Sequence, residues 1–270
     1  MRDVAFGQYY PSKSFIHKCD PRTKLLFLIV YIVAIFTSKN FYALGACAAV
    51  FVLIAIFSGV PFKSLLRSVK AILFLLIFTA VLSLFFHEGG NVVFKWWKIE
   101  ITDEAIYYTI FLAVRLFLLV LGSAILTLTT TPVALTDGIE SLLYPLKLLH
   151  VPVHVFALIM SIALRFIPIL TDETTRIMNA QKARGGDFES GSLFKRVKAV
   201  IPILIPLIIS AFRRAEELGD AMDARCYSGS TVRTKYKKLT FGWRDVIGFL
   251  LGAALLVSII LLRIFTAALI

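Results

Sequence analysis

The chain has 270 residues, 59% of them hydrophobic, and a formal net charge of +12; its mean hydropathy is +0.84. Soluble globular domains are roughly half apolar, so this composition excludes an ordinary soluble protein and points to a polytopic membrane protein. The positive charge lies between and beside apolar runs, which is the bias of cytoplasmic membrane loops, and no nucleic-acid partner is expected.

The first two dozen residues are polar and basic, with Arg2, Lys13, Lys18, Arg22 and Lys24. They lack an apolar core ahead of a small-residue cleavage site, so no cleavable signal peptide is expected and the segment is read as cytoplasmic. Asp20-Pro21-Arg22 predicts a helix start, because Asp can cap and Pro fits the first turn. His17 reads as a local hydrogen-bonding residue rather than a ligand. Cys19, Cys47 and Cys226 are far apart and odd in number, which implies neither a disulfide framework nor a metal set.

Leu25 to Ser58 is apolar except at Ser38-Lys39-Asn40. One helix of that length would reach about 50 Å against a hydrocarbon core of about 30 Å, so two short spans with a tight external turn are predicted. The first is marginal in length and would need Lys24 and Lys39 to snorkel. Lys63, Arg67 and Lys70 mark the return to the cytoplasm before a third span, roughly 71–86. The stretch His87–Thr102 reads as a loop, with Trp96 and Trp97 suited to the interface. A fourth span, roughly 105–131, holds Arg115, either a functional charge or a structural, snorkelling one; such a charge costs about 2.5 kcal/mol or more at mid-helix. Pro132 breaks that helix after Thr129-Thr130-Thr131. A last span, roughly 246–266, carries Arg263 near its far end. Five spans leave the amino end inside and the carboxyl end outside.

Between the fourth and last spans, Pro132–Trp243 carries 15 Lys and Arg against 10 Asp and Glu. Two apolar stretches, 153–170 and 199–212, could be taken for spans. Were both to cross, Arg176, Lys182, Arg184, Lys195, Arg196 and Lys198 would lie outside, against the positive-inside bias. The segment is therefore read as three amphipathic helices at or under the membrane, about 132–149, 152–184 and 193–225. Asp137 and Glu140 suit the amino-terminal dipole of the first. Gly185-Gly186 closes the second, and Ser228-Gly229-Ser230 follows the third.

No phosphate-binding loop is present: Gly186–Gly191 is followed by Ser192 where a Lys is needed. His150 and His154 are four apart, but Pro152 lies between them and no third ligand is evident. No Asp or Glu falls inside a predicted span, which argues against an ion-coupled carrier. No cofactor or metal is expected, and no catalytic constellation is found.

One pattern occurs twice: Ala180-Gln181-Lys182-Ala183-Arg184-Gly185 and Ala221-Met222-Asp223-Ala224-Arg225-Cys226. Each arginine could simply cap its own helix, since a cation suits the negative dipole end. The repetition favours a second reading. Small alanines let a helix tip enter a groove, and the guanidinium fork meets carboxylates and carbonyls, so the two tips would dock on partner proteins.

These motifs, with Ser14–Leu25, Thr129–Pro132 and Ser161–Pro168, resemble those of the transmembrane T component of energy-coupling factor (ECF) transporters, over nearly the whole chain. Cys226 stands where the family often has Gly. The resemblance implies an energy-coupling scaffold, not itself an enzyme, in the prokaryotic cell membrane. Residues 1–131 would be the lead-in and spans 1–4, 132–243 a cytoplasmic coupling domain, and 244–270 the last span. Ala183, Arg184, Gly185, Ala224, Arg225 and Cys226 would dock two ABC-type ATPase subunits. The coupling helices would cross beneath the membrane. Phe156, Ile159, Ile162, Ile201, Leu204 and Ile208 would form a platform, against lipid, for a separate substrate-capturing membrane subunit, or S component, which selects the vitamin or metal. The competing reading is a stand-alone secondary transporter or channel; a membrane enzyme would need a polar site that the sequence does not show.

Overall fold

The structure, a computed structural model, describes residues 9–12, 14–70, 72–86, 89, 92–96, 99–145, 153–186, 193–227 and 240–267. A 3-10 turn at Ile16–Lys18 is followed by α1 (Pro21–Thr37), α2 (Phe41–Ser58), α3 (Phe62–Lys70), α4 (Leu73–Phe86), α5 (Asp103–Thr129), α6 (Pro132–Leu142), α7 (Val153–Ala183), α8 (Leu193–Ala224) and α9 (Trp243–Ala267). This is the expected all-α polytopic membrane fold with one addition. The stretch read as a loop contains an antiparallel hairpin, β1 (Val92–Trp96) with β2 (Ile99–Thr102). Its residues are largely β-branched and aromatic, which suits a pleated pair. Trp97 lies outside the described residues.

Helix boundaries follow local chemistry. The Asp20 carboxylate accepts from the Arg22 N–H at 2.9 Å, with Pro21 opening α1. Thr102 caps α5 by accepting from the Ala105 N–H at 3.2 Å. Thr131 caps α6 from the Ala134 N–H at 3.3 Å, with Pro132 in the first turn. Pro132 thus ends one helix and begins the next.

The chain divides into two compact units, Met1–Pro145 with Leu239–Ile270, and Leu146–Lys238. In the first, α5 packs against α1, α2, α3 and α4, while α1 also meets α6 and α9. Tyr31, Ile35, Leu44, Phe51, Leu118, Leu121, Leu255 and Ile259 are buried in one apolar cluster. Close approach of α9 to α1 relies on small residues: a Cβ at Gly248 would lie 3.0 Å from Thr23, and one at Gly252 3.4 Å from Phe27. The boundary read at residue 132 shifts, because α6 belongs with this unit. Gly138 is buried, and a Cβ there would lie 3.1 Å from Pro21. α6 also stops at Leu142 rather than near 149.

Among the described residues, four helices are long and apolar enough to cross a bilayer by length and composition: α2, α5, α7 over Val155–Ala183 and α9 over Trp243–Ile264. The pair α3 and α4 would make a fifth if taken together. α1, with 17 residues, is shorter than any of these. The sequence reading differs in taking α1 as a span and α7 as a helix under the membrane. The basic residues around the end of α7 are what the sequence reading sets against a crossing. α3 is amphipathic, with Leu65 and Val69 buried and Lys63, Arg67 and Lys70 exposed.

Candidate functional site

In the first unit, two of the motif stretches meet. Lys24, expected to snorkel, instead reaches the carboxyl end of α5. Its ammonium donates to the Thr129 carbonyl at 3.1 Å, to Thr130 Oγ1 at 3.3 Å and to the His17 carbonyl at 3.4 Å. A cation suits those terminal carbonyls. His17 is a local hydrogen-bonding residue, as read: Nε2 donates to the Tyr10 carbonyl at 2.8 Å, and in the neutral ring Nδ1 accepts from Ser14 Oγ at 2.7 Å.

Asp245, at the start of α9, completes this junction. Buried to 3% exposure, it accepts from the Asp20 N–H and the Gly242 N–H, both at 2.8 Å. Sequence reasoning missed it; an acidic residue in the first turn of a span was the available signal. Burial, and then the nearby Asp245 carboxylate, pushes the Cys19 thiol up from its ordinary value, in keeping with an unreactive thiol.

Arg115 makes structural contacts. Its guanidinium donates to the Ser38 carbonyl at the end of α1 and lies 4.6 Å from the centre of the Phe111 ring. Ser38 is itself buried, and its hydroxyl donates to the Ala34 carbonyl at 2.9 Å. The turn between α1 and α2 is therefore held by protein groups.

The second unit carries the two Ala-Arg motifs, and both close in the same way. At the end of α7 the Gly185 N–H donates to the Lys182 carbonyl at 3.0 Å and the Gly186 N–H to the Gln181 carbonyl at 2.9 Å. At the end of α8 the Cys226 N–H donates to the Asp223 carbonyl at 2.8 Å and the Tyr227 N–H to the Met222 carbonyl at 3.0 Å. These are two Schellman closures in the same register. Each arginine stands at the C-cap, and the residue after it is left-handed, with φ 86° at Gly185 and 56° at Cys226. Ala183, Arg184, Gly185, Ala224, Arg225 and Cys226 are all exposed.

Of the apolar platform residues, Phe156, Ile159, Ile201, Leu204 and Ile208 are exposed and Ile162 is half-buried. Pro168 lies inside α7, and Pro202 and Pro206 inside α8, without ending either helix. His150 and the stretch 187–192 lie outside the described residues, as does 228–230. Among the described residues no three His, Cys, Asp or Glu side chains gather as metal ligands.

The apolar helices define a multi-pass membrane protein, and comparison with known proteins supplies its family. The family model described as "Cobalt transport protein" (CbiQ) matches residues 12–236. The chain is 47% identical over 261 residues to the energy-coupling factor transporter transmembrane protein EcfT of Brevibacillus brevis, covering 97% of this chain and 96% of the relative. It is 47% identical over 266 residues to EcfT of Clostridium kluyveri, covering 98% of each. EcfT of Bacillus subtilis is 41% identical over 259 residues, with 95% of this chain and 98% of the relative covered. The chain belongs to this family, the transmembrane T components of energy-coupling factor transporters.

Proposed function

We propose that this chain is the energy-coupling scaffold of an ATP-driven micronutrient importer. It joins two ABC-type ATPase subunits, which hydrolyse the nucleotide, to a membrane subunit that captures the cargo. The cargo is a vitamin in the first instance, with cobalt, named in the family description, as the alternative. The observation that carries the reading is the pair of matching helix ends. The same Schellman closure presents an exposed Ala-Arg at each, as two like docking sites for two like partners require. An arginine anchor is worth roughly 2 kcal/mol or more when truncated at an interface centre.

The tips and the amino end face the cytoplasm in this reading, because an external segment from Arg176 to Lys198 would break the positive-inside bias. α7 then lies along the membrane face despite its length. Phe156, Ile159, Ile162, Ile201, Leu204 and Ile208 face lipid and the capturing subunit. Rigid-body movement of the ATPases reaches that subunit through α7 and α8.

The test is Arg184→Glu with Arg225→Glu. Each single change weakens ATPase co-purification and uptake, and the pair abolishes both. Normal uptake with ATPases still bound to the double variant would overturn the docking reading. Gradient-driven transport by the purified chain alone in liposomes would favour a stand-alone carrier instead.

A further inference from the structure

We propose that Glu173 and Arg214 form the fulcrum between α7 and α8, an ion pair at matched positions that sets the two arginine tips at equal arm lengths. Its consequence for coupling rests on the docking reading above; its geometry does not.

Glu173 Oε2 and Arg214 Nη2 lie 3.7 Å apart, joining α7 to α8. Glu173 precedes Arg184 by 11 residues, and Arg214 precedes Arg225 by the same 11. At 1.5 Å of rise per residue each arm is about 16 Å long. The contact therefore falls at the same place on both helices when they are aligned by their motifs.

That alignment, an offset of 41 residues, has a second property. At the ends it matches like with like: Ala180 with Ala221, Ala183 with Ala224, Arg184 with Arg225. Nearer the contact it matches opposite charges: Asp172 with Arg213, Glu173 with Arg214, Arg176 with Glu217, and further out Lys182 with Asp223. Of these matched pairs, the structure joins Glu173 to Arg214. A pairing of α7 with a second α7 would place Glu173 against Glu173.

The pair is partly exposed, with side-chain exposure of 26% for Glu173 and 35% for Arg214. Such pairs add little to global stability. What this one supplies is register. A slip of one turn along either helix would change that helix's arm by about 5 Å and leave the other as it is, so the tips would no longer meet two like surfaces together. Glu173 and Arg214 are positioning residues for the docking tips.

The test uses the full chain in nanodiscs, without partners. Ala183→Cys and Ala224→Cys carry nitroxides, with Cys19→Ser, Cys47→Ala and Cys226→Gly as background. Pulsed electron resonance reads the tip-to-tip distance. The parent should show one dominant distance. Glu173→Arg and Arg214→Glu should each shift the population away from it by about five-fold, the equivalent of an exposed pair near the top of its range. The swap carrying both changes should restore it. Glu173→Gln gives a milder arm, with a shift of about two-fold, should a reversal fail to fold. Unchanged distances in the single variants, or a swap as defective as either single, would overturn the proposal. Because no ATPase is present, that failure leaves docking untouched. Loss of docking alone would appear as failed co-purification with the distances intact.

Discussion

The two compact units are held by different means. In the first, polar side chains join helix ends. Asp245 joins α9 to the start of α1, Lys24 joins α1 to the end of α5, and Arg115 joins α5 to the turn after α1. In the second, Ile203 is the one buried apolar residue among those described, while Phe156, Ile159, Ile201, Leu204 and Ile208 stand exposed. A large exposed apolar surface marks contact with lipid or partner. Both units expose apolar residues, Phe74 and Tyr42 in the first among them; what separates them is the buried core, which the first has and the second has only at Ile203 among the described residues.

The largest effect should come from breaking the polar junction of the first unit. Asp245→Ala leaves the Asp20 N–H without its acceptor in a buried place, and takes the acceptor of the part-buried Gly242 N–H as well. Such a loss costs about 2–3 kcal/mol, read as a lowered thermal midpoint in detergent and as faster amide exchange at residue 20. An unchanged midpoint would mean that the first unit does not depend on this junction.

A smaller pair of changes sharpens the contrast, because the same substitution should have opposite signs in the two units. In α5, Gly122→Ala puts a Cβ 2.5 Å from the Tyr31 ring, and Tyr31 is 2% exposed. Overpacking of that kind costs about 1–3 kcal/mol. In α8, Gly219 has nothing within 4 Å of its added Cβ, so Gly219→Ala should stabilise the helix by about 0.5–1 kcal/mol. Thermal unfolding measures the first and amide exchange along α8 the second. Losses of equal size at both sites would remove the distinction between a packed unit and an open one.

Much of this was legible where one residue type decides the local geometry. Asp20-Pro21 predicted the start of α1, Pro132 the break between α5 and α6, and Gly185 the end of α7. His17, read as a local hydrogen-bonding residue, does bond to Ser14 and Tyr10, both near it in sequence. What escaped depends on long-range partners. The Asp20 to Asp245 bond spans 225 positions, and neither period nor composition pairs residues at that distance. Arg115 looked ambiguous because a lone charge in a span does not reveal that the Ser38 carbonyl awaits it. α6 was grouped with the basic segment by charge, whereas its glycine face packs on α1. At the tips, the motifs were visible, but the shared closure was not; Cys226 read as a small substitution, when its backbone is in fact left-handed.

That difference at Cys226 gives the smallest and most local prediction. Both helix ends need a left-handed residue after the arginine. At Gly185 this conformation carries no Cβ penalty; at Cys226, with φ 56°, the Cβ crowds the following carbonyl and costs about 1–2 kcal/mol. Cys226→Gly removes that cost, but the glycine also gains freedom in the unfolded chain, which offsets part of it. The net gain should be a few tenths of a kcal/mol up to about 1 kcal/mol. It should appear as slower exchange of the Cys226 and Tyr227 amides, which donate back into α8, with the first unit's thermal midpoint unchanged. Gly185→Ala should do the reverse at the end of α7, by a similar amount. If Cys226→Gly instead loosened those amides, the thiol would be making a contact that the two closures do not share, and the tips would have to be treated as different sites.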